Sequence, residues 1–222
     1  MRSTQSLKME GKIPLILKLK KEQQKQVARG QDIIVRTLFK VFNDAVLHGG
    51  TAIWRCYQGM RFSEDVDVYI PKDEKRINLF FAKLEENGFK ALKKKIGENS
   101  LYSNFEFNRV NVKFEALFKK VKGNLREYEM VDGNLYDVYT LLPEELIKEK
   151  VNAYLKRLKV RDLYDIYFLL RFVKDKSKVR GELERFLKEF KGPVDERDLR
   201  GLIIEGIVPP VNKMLNYIQR EM

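Results

Sequence analysis

Leu47–Ile70 reads LHGGTAIWRCYQGMRFSEDVDVYI. A Gly49-Gly50-Thr51 turn is followed, one short helix later, by Asp65-Val66-Asp67 in a run of β-branched residues. Residues two apart in a strand share a side, so Asp65 and Asp67 project together while Val66 and Val68 face the other way. Two adjacent carboxylates repel unless a cation sits between them. Hard oxygen ligands select Mg²⁺. The glycines allow close backbone approach to a ligand, and the helix that follows offers its N-terminus to phosphate. Phosphate and carboxylate-bound Mg²⁺ together point to nucleotide chemistry.

Working outward, the 222 residues make one large domain or two small ones, and 44% apolar content is enough to build a core. No apolar run is long enough to span a bilayer and no signal-peptide pattern opens the chain. The single cysteine, Cys56, has no internal disulfide partner, and with one histidine a Cys/His zinc site is not expected. A cytoplasmic protein is expected. The 44 Lys and Arg outnumber 32 Asp and Glu, a net charge of +12. That excess favours a polyanionic partner such as RNA; the alternative is a Lys-rich solvated surface.

Residues 1–12 are polar without pattern. Residues 13–46 read as one or two helices ending in a short strand, 45–48. A helix over 51–58 and a strand over 65–70 follow. An amphipathic helix over 73–87 ends at Asn87-Gly88. Strand-like runs follow at 89–96, 100–107, 110–117, 125–131 and 135–140. Asn108-Arg109 and Asp132-Gly133-Asn134 mark hairpins. After Leu142 the period becomes helical: 143–156, 161–173, 178–191, and 195–220 with breaks. The expected fold is α+β: a mixed sheet flanked by helices over 1–141, then a C-terminal helical bundle over 142–222.

Further residues carry chemistry. Lys113 and Glu115 share one face of the strand 110–117, and pairing beside 65–70 would bring Glu115 to the aspartates as a third metal ligand or a base. The alternative is a solvated Lys/Glu alternation. Lys150 falls within the apolar arc of Leu146, Ile147, Val151 and Tyr154, so it must pair or snorkel. Aimed at the sheet domain it would bind the triphosphate; the alternative is a snorkelling lysine at the domain seam. Asp162 and Asp165 lie on the apolar face of the next helix and need a cation: Lys150, Arg157 or a metal-bound nucleotide. Asp162 could instead interact with the helix dipole. Arg61 and Ser63 either touch phosphate or anchor a loop. His48 reads as a strand residue near the turn, and Cys56 as helix core. The lysines at 93–95 and at 119, 120 and 122 either track RNA or form solvated faces.

The GGT turn at 49–51 with RFSEDVD at 61–67 resembles the first motif of the nucleotidyltransferase superfamily that includes DNA polymerase β. LPEELIKEK at 142–150 and RDLYD at 161–165 make the resemblance more specific, to the AbiEii/AbiGii toxin family of nucleotidyltransferase-like proteins, over residues 40 to 175. The resemblance implies an active site between the sheet domain and the helical domain that completes it, Mg²⁺ on Asp65 and Asp67, contributions from Lys150 and Asp162, and triphosphate cradled by Gly49, Gly50 and Thr51. Thr51 stands where Ser is common; its hydroxyl can still meet a phosphate. Some members add nucleotides to the 3′ end of tRNA, and an antitoxin often accompanies them. The expected reaction is transfer of a nucleoside monophosphate from an NTP to an acceptor hydroxyl, with tRNA or another RNA as leading acceptor. A protein acceptor, and a non-catalytic binding module on the same fold, are the rivals.

Overall fold

A computed structural model describes residues 13–222; the polar stretch 1–12 lies outside the described residues. The chain runs α1 (Leu15–Lys18), α2 (Glu22–Val41), β1 (Val46–His48), α3 (Gly49–Cys56) and β2 (Asp65–Ile70). Next come α4 (Glu74–Glu86), β3 (Lys90–Ile96), β4 (Ser100–Phe107), β5 (Val110–Phe118), β6 (Asn124–Glu129) and β7 (Leu135–Thr140). The remainder is helical: α5 (Pro143–Arg157), α6 (Val160–Leu169), α7 (Ser177–Glu189), α8 (Leu199–Leu202) and α9 (Val211–Arg220). The helix expected over 161–173 ends in a 3-10 turn, Leu170–Phe172. The region 195–220 holds only a 3-10 turn, α8 and α9, because Gly206 (φ +93°) and Pro209-Pro210 break the helix.

The fold is α+β. Its seven-stranded sheet has the order β3-β4-β5-β2-β1-β7-β6. The β2–β5 and β1–β7 pairs are parallel and the other four antiparallel. Strand β2 alternates as its sequence predicts: Val66, Val68 and Ile70 are buried, and Asp65, Asp67 and Tyr69 lie on the more open face. The buried side packs with Ile34 and Leu38 of α2, Ile77 and Phe80 of α4, and Phe105 and Phe114. Gly30 lets α2 approach the sheet, since a Cβ there would lie 2.9 Å from Val112 Cγ2. Asn108 and Arg109 take φ of +48° and +65°, the conformation of a tight turn between β4 and β5.

A second core joins α5, α6, α7 and α9 through Leu146, Tyr154, Leu163, Ile166, Leu183, Phe186 and Met214. It also takes in Val46, Ile53, Tyr57 and Leu141, so the helices are seated on β1 and α3. At this seam lies a buried ionic chain. Arg61, in the loop before β2, donates Nε and Nη2 to Asp165 at 2.9 and 2.7 Å. Lys150 Nζ of α5 lies 2.8 Å from the same carboxylate and 3.6 Å from Asp162. Arg157 closes the chain on Asp162 with two bonds of 2.7 Å. Arg61, Lys150, Asp162 and Asp165 are each at most 6% exposed, so the charges compensate one another rather than water.

Burial alone would raise the Asp165 carboxyl; Arg61 and then Lys150 overcome it and hold it below the usual range. A depressed folded value contributes stability above the ordinary aspartate pKa of about 3.9, and that stability is lost as pH falls through the folded value. Asp165→Asn should therefore cost about 3–5 kcal/mol at neutral pH, because it strands two buried cations. Urea denaturation of both proteins across acid pH should show the gap shrinking below about pH 4. A pH-independent gap contradicts the assignment.

Candidate functional site

The site is built on β2 and its two neighbours. In register, Asp67 stands opposite His48 of β1 and Glu115 of β5, and Asp65 stands opposite Lys113. The three acids and His48 therefore meet on the open face of the sheet. Burial raises the Asp67 carboxyl; His48 and Lys150 oppose the shift and Asp65 and Glu149 add to it. Glu115 is raised by burial first, then by Asp67 and Asp65.

Helix α3 starts at Gly49, two residues earlier than its periodicity predicts, and no side chain caps it. Gly49 has φ +69°, and a Cβ there would fall 2.2 Å from Asp67 Oδ2. The first residue of the helix thus touches the carboxylate, which only glycine allows. A Cβ on Gly50 would meet Ser63 Oγ at 2.5 Å and Arg61 Nη2 at 2.7 Å. Gly49, Gly50, Arg61, Ser63, Asp65 and Asp67 are thereby brought together.

Thr51 differs from its expected role. It is fully buried, and its hydroxyl donates to the Asp65 carbonyl oxygen at 2.5 Å rather than facing a ligand. Gln31 supports the same loop, donating to the Ser63 carbonyl at 2.8 Å. The Arg61 guanidinium is occupied by Asp165 and by the Phe62 carbonyl, so it anchors the loop. Lys150 and Asp162 lie in the buried chain at the seam, behind the carboxylates. Cys56 packs against both cores, and burial pushes its thiol up to about 12, which leaves it unreactive.

Sequence reasoning missed Glu149 and Tyr69, and underrated His48. His48 Nδ1 lies 3.1 Å from Glu149 Oε2, and its ring stacks on Tyr69 with centroids 4.1 Å apart. Tyr69 donates its hydroxyl to Glu149 Oε1 at 2.6 Å. Burial would raise Glu149, but the bonds from His48 and Tyr69 hold it below its usual range. Two signals were available: Tyr69 is two residues past Asp67 on the same strand face, and Glu149 sits beside Lys150.

The donor set can be tested against a metal. Asp65 Oδ1 is buried without a hydrogen-bond partner, with Lys113 Nζ 3.6 Å away. The donors are all carboxylate oxygens, as a hard divalent cation requires. Among the described residues no group of three or more His, Cys, Asp or Glu could hold a metal ion. Glu115, expected as a third metal ligand, stands on the neighbouring strand and closes no such cage. The geometry suits the manner in which Mg²⁺ is commonly held, by one or two carboxylates plus substrate phosphates.

A cleft of about 780 Å³ opens against Asp65 and Lys113, with Lys159, Arg161 and Arg197 of the helical half on its far wall. That size suits a small-molecule ligand. No helix among the described residues is long and apolar enough to cross a membrane.

Comparison with known proteins bears on the fold and the family. The family described as "Nucleotidyl transferase AbiEii toxin, Type IV TA system" matches residues 33–211. The fold is similar to that of JHP933 from Helicobacter pylori, at 18% identity and TM-score 0.63, covering 91% of this chain and 93% of that one. It is also similar to MenT4, a nucleotidyltransferase toxin from Mycobacterium tuberculosis H37Rv, at 17% identity and TM-score 0.62, covering 90% and 82%. No curated protein matches the sequence at a significant level. The match over most of its length shows that this chain belongs to the AbiEii nucleotidyl transferase toxin family and is a nucleotidyltransferase.

Proposed function

We propose that the protein transfers a nucleoside monophosphate from an NTP to the 3′-terminal hydroxyl of an RNA, with tRNA the leading acceptor, in a Mg²⁺-dependent reaction. The observation that carries this reading is the contact of Asp67 with Gly49, which sets a carboxylate pair against an uncapped helix N-terminus. Backbone N–H groups at Gly49, Gly50 and Thr51 hold the triphosphate, aided by the positive end of the helix dipole. The nucleoside lies in the cleft beside Asp65. Asp65 and Asp67 would hold the cation, which when bound neutralises the leaving pyrophosphate and acidifies the attacking hydroxyl.

Glu115, opposite Asp67 on the neighbouring strand, accepts the proton of the acceptor hydroxyl. The acceptor oxygen forms a bond to the α-phosphorus, the bond from that phosphorus to the α–β bridging oxygen breaks, and pyrophosphate departs. Lys150, held by Asp165 and Asp162, keeps positive potential behind Asp67 rather than gripping phosphate itself. The basic balance of +12 supports an RNA acceptor. Family membership supports an antitoxin partner, and we place the reaction in the cytoplasm.

Incubation of the purified protein with total tRNA, Mg²⁺ and each labelled NTP in turn should give RNase-sensitive product. Label in protein alone, or none at all, contradicts the reading. Asp67→Asn should lower the rate by about 1000-fold or more without unfolding the chain. Gly49→Ala should lower kcat by about 100-fold, because the new Cβ displaces the Asp67 carboxylate. Steady-state kinetics measure both, and a Gly49→Ala enzyme of near wild-type rate would refute the contact argument.

A further inference from the structure

The face that bears the aspartates continues far beyond them. In register, Asp67 pairs with Glu115, Glu115 with Tyr102, and Tyr102 with Lys95. In a neighbouring row Asp65 pairs with Lys113, Lys113 with Asn104, and Asn104 with Lys93. Opposed residues on adjacent strands stand about 5 Å apart, so the rows form an unbroken strip from the site to the sheet edge. The intervening residues Phe105, Val112 and Phe114 are buried in the core on the other face. All seven residues of β3 are exposed, so the far end of the strip is open. Lys93 Nζ lies 5.3 Å from the centre of the Tyr102 ring. A small cavity of about 140 Å³ lies on the strip where His48, Asp67, Tyr102, Glu115 and Leu117 meet.

Sheet order gives this strip a direction. The neighbours of β2 are β1, which leads into α3, and β5. Attacking and leaving oxygens lie roughly in line on opposite sides of a transferred phosphorus. With the triphosphate at the start of α3, the leaving group departs on the β1 side of β2. The acceptor hydroxyl then arrives over β5, and the chain behind it extends over β4 and β3.

We infer that the open face of β5, β4 and β3 is the track for the 3′-terminal segment of a single-stranded RNA acceptor. Tyr102 is the surface on which a base stacks, and Lys93, Lys95 and Lys113 contact its phosphates. Aromatic rings set among cations on an open sheet are how sequence-tolerant single-strand binding is built. The inference rests on the RNA-acceptor reading above and adds where that acceptor lies.

The test uses the full chain and a short single-stranded RNA with a free 3′ hydroxyl, labelled at its 5′ end. Fluorescence anisotropy gives the Kd, and nucleotide transfer gives KM for RNA and for NTP separately. Lys93→Glu with Lys95→Glu, and separately Tyr102→Ala, should each weaken RNA binding by about 10-fold and raise KM for RNA rather than for NTP. The lysine pair is on an exposed edge strand, so that variant keeps its fold; circular dichroism checks both. A charge-matched control, Lys178→Glu with Lys188→Glu on α7, should bind RNA as the wild type does. Folded track variants with wild-type RNA affinity, or a control that loses as much, overturn the track while leaving the RNA-acceptor reading intact. A wild-type protein that neither binds nor labels RNA overturns both.

Discussion

The Asp165 carboxylate, buried and shared between Arg61 and Lys150, is the constraint on which the site depends. Its two partners come from different parts of the chain, one from the loop before β2 and one from α5. Neither cation can be left unpaired at that depth without a cost of several kcal/mol. The loop is therefore fixed against the helices, and Asp65 and Asp67 emerge from it at a set place. The same pairing fixes α5, which carries Glu149 to His48 and Tyr69 on the open face of the sheet.

A layered electrostatic arrangement follows. On the open face of the sheet, Asp65, Asp67 and Glu115 gather negative charge, and the Asp67 and Glu115 carboxyls are raised first by burial and then by their acidic neighbours. Behind them, the Arg61, Lys150 and Arg157 cations are paired with Asp165 and Asp162. The front layer is short of positive charge, whereas the rear layer holds three cations against two aspartates. A polyphosphate arriving with a divalent cation supplies what the front layer lacks, which fits a family of enzymes that act on NTPs.

Much of this was legible in the sequence because it is local. The alternation of Asp65, Val66, Asp67 and Val68 defines β2 and its faces, and Asn108-Arg109 defines a hairpin. Lys150, Asp162 and Asp165 announced themselves as charges on apolar helix faces. Their pairing was less legible: Arg61 and Asp165 are 104 residues apart, and His48 and Glu149 are 101 apart. A helical wheel shows that a buried acid needs a cation but not which one. The Thr51 hydroxyl was misread for the same reason, since only the folded loop shows that the Asp65 carbonyl claims it. The breaks expected within 195–220 fall at Gly206 and Pro209-Pro210.

On the proposed reaction the α-phosphorus, not the γ-phosphorus, is transferred at Asp65 and Asp67. Parallel reactions with α-labelled and γ-labelled NTP decide between the two. The α-label should become covalently attached to the acceptor and the γ-label should leave as pyrophosphate. Acceptor carrying γ-label, with none from the α position, would contradict it and make the protein a kinase on this fold.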